Sequence, residues 1–179
     1  FSVCKSSQLS YKDKNLVKNK YYKKKHKKGY LFWITGLSGS GKTTLANKIT
    51  PYIKTRYGPS ITLSGDDLRK IFNFNKFSRK KRLDYALTYS KFCKCITDRN
   101  INLIFSTVSL FHKVRKWNKT NIKNYVEIYI KSDIQEIIKK KNKFFYKGNY
   151  QNIVGKNLKA EFPKSPDIII ENNFTKPLK

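Results

Sequence analysis

Tyr30-Leu31-Phe32-Trp33-Ile34-Thr35-Gly36-Leu37-Ser38-Gly39-Ser40-Gly41-Lys42-Thr43-Thr44-Leu45-Ala46 is the stretch that decides the fold. Its first six residues form a continuous apolar run, the pattern of a strand buried on both faces of a parallel sheet. The run leads into Gly36-x-x-x-x-Gly41-Lys42-Thr43, which satisfies the phosphate-binding (P-loop) pattern G-x-x-x-x-G-K-[ST] in full. The chemistry explains each part. Glycines let the backbone turn so that successive N–H groups face a phosphate, at a helix N-terminus whose dipole favours negative charge. Lys42 bridges the terminal phosphates as a point charge, and the Thr43 hydroxyl can ligate Mg²⁺. Residues 42–57 read as the helix that such a loop needs, with Leu45, Ala46, Ile49 and Ile53 on one face. The expected nucleotide contacts are therefore Gly36, Leu37, Ser38, Gly39, Ser40, Gly41, Lys42, Thr43 and Thr44.

The same alternation continues outward. Residues 60–63 read as a strand, and Ser78 as the N-cap of a helix to Arg99 that buries Leu83, Ala86, Leu87 and Ile96. Strands follow at 101–108, 125–130 and 167–170, with helices at 112–118 and 134–141 between them. This order predicts an α/β fold, a doubly wound parallel sheet of the P-loop nucleotide hydrolase and kinase type. Between 142 and 166 aromatic, basic and Gly residues mix without a period, which predicts a lid rather than an idle connection. Residues 1–28 are polar and Lys-rich and read as a basic N-terminal extension outside a kinase domain spanning 29–179. Phe1 in first place, with no Met in the chain, points to a processed product or a piece of a longer polypeptide.

Lys and Arg number 40 against 11 acidic residues, a net charge of +29, which makes a polyanionic partner one reading. The Lys residues are spread over the chain rather than gathered in one stripe, which favours solvated faces over a nucleic-acid surface. No run approaches the roughly 18 apolar residues of a membrane span, so no membrane partner is expected. Three Cys without metal-ligand spacing read as reduced thiols, and the expected location is cytoplasmic. A homodimer is the assembly considered beside a monomer.

A base-reading Asn-Lys-x-Asp motif for guanine is missing, because Asn118-Lys119-Thr120-Asn121 lacks the acid. The strand at 101–108 also ends without an Asp. Ser64-Gly65-Asp66-Asp67-Leu68-Arg69 supplies one directly after the second strand, where strand ends converge on one crevice. Asp66 is the candidate Mg²⁺ partner or general base, and Arg69 a phosphate contact on the acceptor side. One of Asp66 and Asp67 can cap a helix while the other works.

At this point the residues resemble the adenylylsulfate kinase family. The segments 36–46 and 63–69 look like its P-loop and the acidic segment after it. Phe77-Ser78-x-x-x-Arg82 resembles its Phe-Ser-x-x-Asp-Arg element, and Val108-Ser109-Leu110-Phe111 its Ile-Ser-Pro-Phe/Tyr element. Residues 126–130 match its fourth strand, Lys143-x-x-Tyr146-Lys147 and Asn152-x-x-Gly155 its lid, and Pro163-x-x-Pro166-Asp167 its closing segment. The resemblance implies transfer of the γ-phosphate of ATP, with Mg²⁺, to the ribose 3′-hydroxyl of adenosine 5′-phosphosulfate. It implies Lys42, Asp66 and Ser109 as catalytic residues and Thr43 and Asp66 as metal contacts. Arg69 and Arg82 then bind the phosphosulfate and Phe77 stacks on the adenine, with Val108, Ser109 and Asn152 also at the acceptor. The chain departs from the family at Ser64, Tyr85, Leu110, Gln151 and Ile153, where Asp, Asn, Pro, Lys and an aromatic are usual, and its lid is shorter. Two other expectations stand beside this one: a P-loop kinase for a polynucleotide end or another small hydroxyl, and an ATP-binding module without turnover.

Overall fold

Alternate residues of the central strand feed two different cores, and that division organises the molecule. The computed structural model describes residues 28–141, 146 and 148–175. The basic extension up to residue 27, and Lys143 and Lys147 of the lid, lie outside the described residues. Strand β1 (Tyr30–Gly36) sends Leu31 and Trp33 to one face, where they meet Leu103 and Phe105 of β3 (Asn102–Thr107). Helices α3 (Arg79–Thr97) and α4 (His112–Asn121) cover that face through Ala86, Tyr89, Cys93 and Val114. Phe32 and Ile34 point the other way with Ile104, Ile128 and Ile130, and α1 (Lys42–Tyr57) covers them with Leu45 and Ala46. Successive side chains on opposite faces are what a strand buried on both sides requires.

The sheet is all parallel, in the order β2-β3-β1-β4-β5, with β2 (Ser60–Ser64), β4 (Asn124–Lys131) and β5 (Ile168–Glu171) completing it. Trp33 lies opposite Phe105 on one side and Glu127 on the other. The chain leaves β1, crosses to the β2 edge, returns to β3 and then passes to β4, so strand order reverses beside β1. In such sheets the crevice at the reversal, outside the strands' carboxyl ends, is where ligands bind. A third apolar cluster joins Leu37 and Leu110 to Ile137 of α5 (Ile134–Lys141) and Tyr146. Among the described residues no helix is long and apolar enough to cross a membrane.

The expected elements are present with small shifts at their ends, and one element is additional. The third strand stops at Thr107 rather than 108, because the Leu110 amide donates to the Val108 carbonyl at 2.7 Å and turns the chain. The long helix stops at Thr97 rather than Arg99, where Asn100 takes a left-handed φ of 63°. The helix begun at His112 runs on to Asn121, beyond the expected 118. Asp167 stays outside β5, and its carboxylate accepts from the Glu127 amide at 2.7 Å. Cys93 is fully buried and Cys95 exposed, both as free thiols. The additional element is a short helix, α2 (Gly65–Ile71).

Beneath α4 lies a buried ion pair, Arg115 Nε to Glu127 Oε1 at 3.5 Å, with Glu127 only 1% exposed. Burial pushes the Glu127 carboxyl up to about 7, against the pull of Arg115 and Lys119. The sign follows from linkage. The folded state keeps a proton that the unfolded chain releases near pH 4 to 5, so stability should fall as pH rises from about 5 to 7. Stability changes by about 1.4 kcal/mol for each pH unit over which the folded state holds that extra proton. Thermal melts across this range should show the slope, and Glu127→Gln should flatten it. An unchanged slope in the variant would assign the titration elsewhere.

Candidate active site

A cavity of about 360 Å³ opens at the reversal point, between the loop after β1 and the segments after β2 and β3. On one side is the P-loop. Gly41 adopts a left-handed conformation (φ 98°, ψ 13°) and delivers the chain into α1. Gly36 has φ 152°, and a Cβ there would sit 2.6 Å from the Ile130 carbonyl and 2.9 Å from Ser40 Oγ. A side chain at 36 would therefore displace the turn. Lys42 Nζ donates to the Leu37 carbonyl at 2.6 Å, which holds the ammonium across the loop that it belongs to. The loop is braced from outside by Asn172 Nδ2 on the Ser40 carbonyl (3.0 Å) and the Tyr146 hydroxyl on the Ser38 carbonyl (3.2 Å). Ser40 Oγ is buried with no hydrogen-bond partner among the described residues. Ser38, Gly39, Gly41, Lys42, Thr43 and Thr44 reach the cavity wall, while Gly36, Leu37 and Ser40 form the turn behind it.

The two carboxylates of the acidic segment are held differently. Ser64 is the N-cap of α2, and its hydroxyl accepts from the Asp67 amide. The Asp67 carboxylate in turn accepts from the Ser64 amide and hydroxyl, each at 2.7 Å, which closes a capping box. Asp67 is thereby occupied. Asp66 is left facing the cavity, 75% exposed, with Arg69 Nη2 at 2.9 Å one turn along α2. Among the described residues no cluster of three His, Cys, Asp or Glu exists. One carboxylate and a Thr43 hydroxyl still fit Mg²⁺, which usually keeps several waters and takes its other ligands from phosphates.

In the lining of the same cavity, outside the P-loop, Arg69 and Arg82 both lie over the Phe77 ring, with guanidinium carbons 5.5 and 5.2 Å from its centroid. Ser78 caps α3, which fixes Arg82 on its first turn. Arg82 Nε donates to the Phe77 carbonyl at 2.9 Å, and Nη2 to the Asn152 carbonyl at 2.8 Å. Burial first, then the neighbouring Arg69 charge, lowers the Arg82 pKa. Two guanidinium groups thus share the cavity lining, and Arg69 is also paired with Asp66. Asn152, at φ 62°, thus meets the cluster through its backbone, and its side chain is not part of the cavity wall. Val108 and Ser109 line the wall below, and the Ser109 hydroxyl is buried without a partner among the described residues.

The lid segment is docked. A Cβ on Gly155 would lie 2.6 Å from Leu37 Cδ2, and Val154 completes the cavity wall. Glu161 pairs with Arg79, its carboxylate accepts from the His112 amide at 2.6 Å, and its carbonyl accepts from Arg115. Sequence patterns alone did not single out Lys76, Tyr89, Ser106 or Thr107, all in the wall. Helical spacing from Arg82 would have found Tyr89, since 82, 85, 86 and 89 share one face.

The sequence model of the family described as adenylylsulphate kinase matches residues 28–171. The chain belongs to that family. As a member of the adenylylsulphate kinase family it is a nucleotide-binding P-loop kinase. A curated relative from Campylobacter jejuni, named cytidine diphosphoramidate kinase, is 36% identical over 148 residues, covering 80% of this chain and 86% of that protein. The adenylyl-sulfate kinase of Clostridium kluyveri is 30% identical over 152 residues, covering 82% and 76%. Among solved structures, the Mycobacterium tuberculosis APS kinase CysC in complex with AMPPNP and APS superposes with a TM-score of 0.72 at 23% identity, covering 80% of this chain and 88% of that one, a likeness of fold.

Proposed function

We propose that this kinase transfers the γ-phosphate of ATP to the ribose 3′-hydroxyl of a nucleoside 5′-phosphate whose phosphate bears a second, anionic group. The observation that carries the reading is the convergence of Arg69 and Arg82 on Phe77, in the same cavity that Lys42 lines. Guanidinium groups grip tetrahedral anions in a planar fork, and an aromatic face between them offers a base its platform. The P-loop takes the ATP phosphates and Lys42 their terminal charge. Thr43 and Asp66 would hold Mg²⁺, which would supply charge neutralisation for the transferring group. Asp66 accepts the proton of the attacking hydroxyl, and Ser109 contributes a buried hydroxyl at the acceptor. A cavity of about 360 Å³ suits small nucleotides better than a polynucleotide strand.

Adenosine 5′-phosphosulfate is the acceptor that the family resemblance implies. Cytidine diphosphoramidate is the second reading, supported by the relative of that name and by the changed acceptor wall. Ile153 stands where the family places a lid aromatic and packs into the Leu37 cluster, so the lid offers an aliphatic side chain at that position. Product analysis after incubation with ATP, Mg²⁺ and each acceptor tests the proposal, which predicts a 3′-phosphorylated product from at least one of them. No product from either would refute it.

Arg82→Ala should raise the acceptor KM by about 10- to 100-fold, the equivalent of a hydrogen bond to a charged group. The ATP KM should hardly change, because Arg82 belongs to α3 and not to the P-loop. An acceptor KM that stays put would remove this arginine from the site.

A further inference from the structure

Resting on the reading above, we propose that Tyr85 and Tyr89 of α3 are specificity-determining residues whose hydroxyl oxygens accept N–H groups from the acceptor's terminal group, so that an amidated phosphate is preferred over a sulfate. Both side chains line the cavity, one turn apart on the face that carries Arg82. Both rings are fixed. Phe74 stacks on Tyr85 with centroids 4.0 Å apart and planes 6° from parallel. Phe105 meets the Tyr89 ring edge-on at 5.8 Å, and the Tyr89 edge lies 3.6 Å from where a Cβ on Gly65 would stand. Packing of this kind leaves only the phenol tips adjustable.

The tips sit among charges. Tyr89 feels Arg69, Asp66 and Arg82, which places it beside the two guanidinium groups. Its burial raises the phenol to about 12, so the hydroxyl stays neutral. No hydrogen-bond partner holds either hydroxyl among the described residues. Donors are in surplus at this wall: Arg69, Lys76 and Arg82 offer N–H groups and no acceptor lone pair, and the Asp66 carboxylate beside them is paired with Arg69 at 2.9 Å. A terminal sulfate carries only oxygens, and the cations saturate them. A terminal phosphoramidate also carries N–H donors, and these need an acceptor that the cations cannot supply. The phenol oxygens supply it, and a site built around such acceptors disfavours an analogue lacking the N–H.

The test uses a matched pair, adenosine 5′-phosphosulfate and adenosine 5′-diphosphoramidate, which differ only in the terminal group. Wild-type protein should show a kcat/KM about tenfold or more higher for the amidate. Tyr85→Phe and Tyr89→Phe keep the rings and should each reduce the amidate-to-sulfate ratio about three- to tenfold, one hydrogen bond's worth, with the ATP KM steady. Equal losses on both acceptors would mean that the tyrosines only support the wall, and a wild-type preference for sulfate would also overturn the assignment. Absence of transfer to either acceptor, or to their cytidine counterparts, would instead overturn the proposed function and this inference with it.

Discussion

Lys42→Ala is expected to lower phosphoryl transfer by roughly a thousandfold, the scale of losing a charge-stabilising donor at a reacting group. The ammonium is almost wholly buried in the loop and already aimed across it, on the Leu37 carbonyl. A methyl group there leaves the β- and γ-phosphates with backbone amides alone. The fold should persist, because the loop is also braced by Asn172 and Tyr146 and its strand is buried on both faces. Initial rates, ATP affinity and a thermal melt on the same preparation make the measurement. Full transfer at unchanged ATP affinity would show that the phosphates bind somewhere else.

Asp66→Asn should lower kcat by about 10²- to 10⁴-fold, the range of a positioned proton acceptor, while ATP affinity moves little. The amide keeps the shape of the side chain but neither takes the proton nor balances Mg²⁺. Asp67→Asn offers a sharp contrast. Its carboxylate closes the capping box with Ser64, so its loss should cost α2 about 0.5–2 kcal/mol and lower the melting temperature, with chemistry largely kept. Comparable losses of kcat in both variants would place the proton acceptor elsewhere.

What could be read in the chain beforehand was whatever is local. The apolar run 30–35 and the glycine pattern after it need no partner to be recognised, and together they located the sheet's central strand and the loop. Only the capping role open to Asp66 or Asp67 pointed to the short α2, because its seven residues are too few to show a helical period. The Arg82–Asn152 contact joins residues 70 apart through a backbone carbonyl, and a carbonyl has no sequence signature. Arg115 reads as one more surface cation among many, and only the packing of α4 on β4 makes it the partner of a buried Glu127. Family likeness carried Phe77, Arg69 and Arg82 to one wall, whereas Tyr85 entered as a mismatch and Tyr89 not at all.

One strap of chain, 152–161, touches the Arg82 guanidinium at one end, lies against Leu37 in the middle and grips α4 at the other. On the proposed reading it leans on the pockets of both substrates at once. Any coupling that the strap carries between them would be reciprocal: the first ligand would change the affinity for the second by the same factor that the second changes the affinity for the first.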